Sequence, residues 1–144
     1  MKIEFLPGLW IISSNKLNNV FIEEKNIKNT INVEKDLNFM GKSENYTNTV
    51  KENIEKYEIL KMVNYLKEIT TFMKKCLFKS ENVLIYCDDC IQKSPTILLA
   101  YLIKYGYVTK EIGIEMIRTK NINAFKPKFK YDTVIDIFIK QIKN

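Results

Sequence analysis

Apolar residues recur every three or four positions from Ile59 to Leu77, through Val63, Leu66, Ile69, Met73 and Cys76. That spacing predicts an amphipathic helix. The period then changes: Val83, Leu84 and Ile85 are consecutive, so Asn82 to Tyr86 reads as a strand covered on both faces. A short polar loop opens at Cys87, and Ser94-Pro95 announces another helix. Ser94 suits the N-cap, Pro95 the first helical position, and Gly106 a left-handed close. A further helix is expected from about Thr109 to Arg118. The last runs from about Asp132 to Gln141, with Val134, Ile135, Phe138 and Ile142 on one face.

The first third reads differently. Ile3 to Ile12, interrupted by Pro7-Gly8, predicts two short strands around a turn. Lys16 to Lys25 carries Leu17, Val20, Phe21 and Glu24 at helical spacing, and Thr30 to Val33 alternates as a strand does. The stretch from Glu34 to Glu58 is polar, contains Gly41, and is expected to hold a short strand near Tyr46 to Val50 within long loops. No internal repeat or linker interrupts residues 1–144, so one domain is expected. Strands alternating with helices, then helices alone, indicate an α/β domain with a mostly parallel central sheet.

Composition narrows the setting. No apolar window is long enough for a membrane span, and MKIEFLPGLW lacks the pattern of a secretory signal. Three cysteines without a framework of spacings point to a reducing compartment, and the cytoplasm is the expected location. The net charge of +6 suggests an anionic partner. Lys, Ile and Asn fill 58 of 144 positions and only Arg118 is arginine, however, a skew that AT-rich coding would itself produce.

The loop carries the chemistry. A cysteine ending a buried strand and facing a helix N-terminus is where a low-pKa thiolate and an anion cradle are built. A small buried apolar residue is the plainer reading of Cys87, and a solvated lysine that of Lys93. Cys87-Asp88-Asp89-Cys90 also has the C-x-x-C spacing of thiol redox motifs, though the surrounding order is not thioredoxin-like. Without histidine, and with Cys76 expected on the preceding helix, no zinc ligand set is legible; no metal or cofactor is expected. Lys120, Lys126, Lys128 and Lys130 interleave with Phe125, Phe129 and Tyr131, which suits either an anionic or nucleic-acid surface or core aromatics with solvated lysines between them.

The spacing from Cys87 to Lys93 and Ser94 resembles the H-C-x5-R-S/T loop of cysteine-dependent dual-specificity phosphatases. LPGLWIISSNKLNN, NYLKEITTFMKKCLFKSENVLIYC, SPTILLAYLIKYGYVTKEIGIEMIR and NINAFKPKF are similar to further segments of that family. The likeness is greatest to its poxvirus (vaccinia-type) branch, which would place the chain in host-cell cytoplasm or a virion. The resemblance implies a protein-tyrosine-phosphatase-like fold, with Cys87 at the nucleophile, Asp88, Asp89, Cys90, Ile91 and Gln92 in the phosphate loop, and Ser94 assisting thiolate release.

Three positions depart from the family pattern: Tyr86 stands for His, Cys90 for Gly and Lys93 for Arg. Lysine supplies a point charge, not the bidentate fork of arginine. The family's general-acid aspartate falls in register with Lys56, so Glu52, Glu55 and Glu58 are the candidate acids, with Glu55 and Glu58 preferred. The expected protein is therefore a pseudophosphatase that binds a phosphorylated or acidic protein partner, or a second copy of itself. A weak phosphatase using Cys87 is the alternative, and a nucleic-acid binder using the Lys120–Lys130 surface is the third reading. No membrane partner is expected.

Overall fold

The structure, a computed structural model, describes residues 2–33, 51–87 and 90–143, without the side chains of 51–56. Strands β1 (Lys2–Leu6), β2 (Leu9–Ser13), β3 (Ile27–Asn32) and β4 (Asn82–Cys87) form a sheet in the order β1-β2-β4-β3. β4 runs parallel to both β2 and β3, while β1 closes the edge antiparallel to β2. The β1–β2 turn uses Gly8 at φ 83°, where a Cβ would also come within 3.0 Å of Asn82 Oδ1. The helices are α1 (Asn19–Glu24), α2 (Lys51–Phe78), α3 (Lys93–Gly106), α4 (Lys110–Lys120) and α5 (Asp132–Ile142). This is the expected α/β arrangement.

β4 divides the core because successive side chains on a strand face opposite ways. Val83, Ile85 and Cys87 join the large cluster that includes Val63, Leu66, Ile97, Leu98 and Phe138 from α2, α3 and α5. Leu84 and Tyr86 join the smaller cluster around Ile12, Phe21 and Ile27, on the side of α1. Every residue of α3 from Ser94 to Ile103 is buried, because α2, α4, α5 and β4 all pack against it. A helix covered on every side needs no polar stripe.

Several boundaries move, each for a local reason. α2 begins at Lys51, eight residues before Ile59; its first turns are rich in Glu and Lys, which form helix well but give no apolar period. Glu52, Glu55 and Glu58 are thus helical rather than in a loop. α1 starts only at Asn19, capped by Asn18 Oδ1 accepting from Phe21 N at 2.8 Å, after a 3₁₀ turn over Ser14–Lys16. β3 starts earlier than Thr30, and beyond its end Val33 N donates to Tyr86 O at 3.1 Å. α3 begins at Lys93 with Gln92 as N-cap, so Ser94 and Pro95 lie inside its first turn; the Ser94 hydroxyl faces Cys87 instead of capping. The left-handed residue at its far end is the exposed Tyr107, at φ 57°, not Gly106.

α4 and α5 match expectation within two residues, and Thr109 Oγ1 caps α4 by accepting from Ile112 N at 3.2 Å. The strand expected near Tyr46 to Val50 lies outside the described residues. Among the described residues, no helix is long and apolar enough to cross a membrane.

Phe138 lies fully buried where α5 meets the large cluster, whereas Phe78 at the end of α2 is 81% exposed. Phe138→Ala is expected to cost about 3–5 kcal/mol of stability. Phe78→Ala should stay within about 0.5 kcal/mol of the parent. Urea denaturation of the two variants checks the contrast.

Candidate active site

β4 carries Cys87 to the helical face of the sheet, in register with Ser13 of β2. Six residues later α3 begins, its first N–H groups unsatisfied within the helix and its N-terminus partly positive. Cys87 Sγ lies 3.2 Å from Ser94 Oγ and 3.9 Å from Cys90 Sγ, and all three residues are fully buried. The Cys90 thiol is the main influence holding Cys87 in its thiolate form. Burial opposes it, and the Ser94 hydroxyl with the backbone N–H groups of Ser94 and Cys90 assist; the outcome is a pKa lowered to about 6. Cys90 is displaced the other way, because its proton is the one donated to Cys87 and because it too is buried. The pair therefore holds one thiolate and one thiol.

Cys90 takes the left-handed conformation, φ 55°, at the position where Gly is implied. A side chain there costs about 1–2 kcal/mol. The loop is tied down nonetheless. Asn121, buried at the end of α4, donates from Nδ2 to the Cys90 carbonyl at 2.8 Å. Phe125 N donates to Ile91 O at 2.8 Å. Gln92 Nε2 donates to the carbonyls of Lys126 and Lys128 at 3.2 and 2.9 Å, and Gln92 Oε1 accepts from Lys130 N at 3.0 Å. The loop and the Asn121–Lys130 segment are one hydrogen-bonded unit. Neither the Asn121 contact nor the Gln92 strap is legible from spacing; the one signal for Asn121 is a short polar residue ending a helix.

Lys93 is half-buried at the first position of α3, one residue before Ser94. Among the described residues, the recorded salt bridges are those of Lys110 with Asp132 and Asp136, at 2.9 and 2.8 Å, remote from the loop in sequence. Tyr86 packs into the smaller cluster on the opposite face of β4 from Cys87. Asp88 and Asp89 lie outside the described residues, as do the side chains of Glu52, Glu55 and Lys56.

Glu58 is buried, and its Oε2 has no hydrogen-bond partner. It lines a cavity of about 250 Å³ with Ile59, Met62, Lys130, Tyr131, Thr133 and Val134, and none of Cys87, Cys90, Ile91, Gln92 or Lys93 lines it. Phe125 and Tyr131 face inward, and Lys120 Nζ donates to the Glu4 and Phe5 carbonyls at 3.2 and 2.9 Å. Phe125 and Tyr131 are core, Phe129 is partly buried against it, and one lysine of the segment secures the edge strand. No group of three or more acidic, cysteine or histidine side chains among the described residues is placed to hold a metal ion.

The chain matches the model of the dual specificity phosphatase catalytic domain over residues 9–137, and it belongs to that family. Solved structures agree on the fold. A leucine-rich-repeat and phosphatase domain protein of Entamoeba histolytica superposes with a TM-score of 0.75 at 16% identity, covering 99% of this chain and 92% of its own. Human DUSP28 gives 0.73 at 10% identity, with coverages of 99% and 95%. A mouse dual specificity phosphatase complexed with zinc tungstate gives 0.74 at 11% identity, with coverages of 99% and 88%. No curated protein sequence matches the chain significantly.

The depressed pKa of Cys87 sets a pH dependence. A thiolate favoured by folding contributes stability above the ordinary thiol value of 9.0, and that contribution is lost as pH falls through about 6. Cys90 acts oppositely and only above its ordinary value, so the interval between belongs to Cys87. Ultraviolet thiolate absorbance, taken as the parent minus Cys87→Ser, is expected to titrate with a midpoint of about 6. A midpoint at the ordinary thiol value would contradict this assignment.

Proposed function

We propose that the protein is a pseudophosphatase: a dual-specificity phosphatase domain that binds phosphorylated or acidic protein segments and turns them over very slowly. The observation that carries this reading is Lys93 opening α3 where the family places arginine. Its ammonium attracts an oxyanion as a point charge, while the two-pronged contact that stabilises a transferring phosphoryl group is missing. Loss of one such preorganised donor costs about 10²–10³ in rate. Cys90 at φ 55° supports the same reading, since its thiol occupies part of a loop that glycine would leave open.

Glu58 opens into a cavity that the described loop residues do not line. General acid catalysis contributes about 10²–10⁴, so its absence would compound the loss, although contributions of groups that act together do not simply add. A viral origin within the poxvirus branch is consistent with the lysine- and asparagine-rich composition, and a reducing compartment with three free cysteines. Self-association is the alternative partnership.

One observation favours the weak-phosphatase reading: Cys87 is held as a thiolate and Ser94 Oγ stands 3.2 Å from it. That reading needs a proton donor for the leaving oxygen, for which Glu52 and Glu55 are the remaining candidates. The nucleic-acid reading has less support, because Phe125 and Tyr131 are buried and present no stacking face.

Hydrolysis of an aryl phosphate separates the first two readings. The parent is expected to fall orders of magnitude below active relatives, and Lys93→Arg to raise kcat/KM by about tenfold or more. Parent turnover at the rate of active relatives, abolished by Cys87→Ser, would overturn the proposal. In calorimetric titration with a phosphotyrosine peptide, Lys93→Ala is expected to weaken binding by about tenfold, equivalent to ~1.4 kcal/mol.

A further inference from the structure

Glu58 has no part in the anion binding proposed above, yet it is only 3% exposed and its Oε2 meets no hydrogen-bond partner. Burying a charge is costly unless it is paired. The chain carries a net charge of +6, but the lysines around Glu58 are engaged elsewhere. The Lys130 ammonium lies 5.6 Å from the centre of the Tyr131 ring, and that of Lys61 lies 4.6 Å from the Tyr57 ring. Among the described residues, the recorded ion pairs do not include Glu58. Rotation of a carboxyl group about its last side-chain bond is soft. Either oxygen can therefore turn to the cavity of about 250 Å³ that Glu58 lines.

The walls of that cavity define what fits. Ile59, Met62 and Val134 are apolar, and Tyr131 adds an aromatic ring. The space is several times the roughly 30 Å³ that one water occupies. A hard metal ion takes about six or more oxygen ligands, and the described residues hold no acidic cluster of that kind. An organic cation on an alkyl stem suits the walls better. The stem packs on Ile59, Met62 and Val134, as the methylenes of long basic side chains do. A guanidinium pairs with a carboxylate through two parallel hydrogen bonds, stacks on aromatic rings and is less strongly hydrated than an ammonium. The cavity also adjoins the loop. Lys130, which lines it, donates its backbone N–H to Gln92 Oε1 at 3.0 Å, and Gln92 is the N-cap of α3 beside Lys93.

We propose that this cavity is a subsite for an arginine side chain, carried by the same phosphorylated segment that occupies the loop. The arginine contact rests on Glu58 and its cavity; that the same segment carries the phosphate rests on the anion-binding reading above. The two charges of the ligand are taken by separate elements. The start of α3 and Lys93 receive the phosphate, while Glu58 of α2 receives the guanidinium. An extended residue spans about 3.3–3.6 Å, so the arginine belongs a few residues from the phosphorylated position. A neutral urea of the same shape, as in citrulline, fills the cavity but leaves the carboxylate without its counter-charge.

The test uses the full chain and two probes. In the first arm, acetyl-arginine amide, which carries no phosphate, is titrated while the methyl resonance of Met62 is followed by nuclear magnetic resonance. That methyl is expected to shift, and acetyl-citrulline amide to leave it in place. In the second arm, calorimetry uses phosphotyrosine peptides with arginine moved one position at a time along either side of the phosphotyrosine. At one position, replacing arginine by citrulline is expected to weaken binding about tenfold. In Glu58→Gln, which keeps the side-chain shape, the two peptides should bind alike. The parent data decide the matter even if that variant fails to fold. A Met62 methyl unmoved by the arginine probe, phosphate-dependent binding with arginine and citrulline equal at every position, or an arginine preference that survives Glu58→Gln would overturn the subsite. Peptides that gain nothing from phosphate, with Met62 still shifted by the arginine probe, would support the subsite and overturn the anion reading instead.

Discussion

The hydrogen bond from Asn121 Nδ2 to the Cys90 carbonyl, 2.8 Å long and buried, fixes the loop on which the site depends. It pins a non-glycine residue in the left-handed region, a conformation that costs about 1–2 kcal/mol. A buried hydrogen bond returns about 1 kcal/mol net, and the Phe125–Ile91 and Gln92 contacts reinforce it. With the backbone held, the Cys90 sulfur meets Cys87 and the Ser94 hydroxyl. The acidity of Cys87 and the proximity of the two sulfurs follow from this one placement. Where a glycine cradle would leave open space, this chain puts a proton donor.

That substitution changes the meaning of a low-pKa cysteine. In the family pattern, loop amides and a histidine tune the thiolate, and an arginine fork holds the phosphate it attacks. Here Tyr86 is turned to the other face of β4, and Lys93 offers a point charge. The lowered pKa instead owes most to the second thiol. The same loop thus brings Cys87, Cys90 and Ser94 together at the start of α3.

Much of this was legible in the sequence, for identifiable reasons. The three-to-four spacing through Ile59, Val63 and Leu66 gave the core-facing part of α2, and the unbroken Val83-Leu84-Ile85 run gave a strand covered on both faces. Cys87, Cys90 and Lys93 could be placed by loop spacing alone. The polar first turns of α2 could not, because Lys51–Glu58 forms helix without an apolar rhythm. Ser94 misled as an N-cap: its hydroxyl is drawn to a buried sulfur, a contact no local rule contains. Asn121 lies 31 residues from Cys90, and a tertiary hydrogen bond of that separation leaves no periodic trace. The aromatics near Lys120–Lys130 were ambiguous until burial placed Phe125 and Tyr131 in the core.

A structure determined with inorganic phosphate present tests the central claim, a retained anion cradle with an impaired transfer apparatus, most directly. The account predicts phosphate over Cys87 Sγ, held by backbone N–H groups at the start of α3 and by a single contact from the Lys93 ammonium. A loop without phosphate at saturating concentration, with Lys93 turned to solvent, would contradict it.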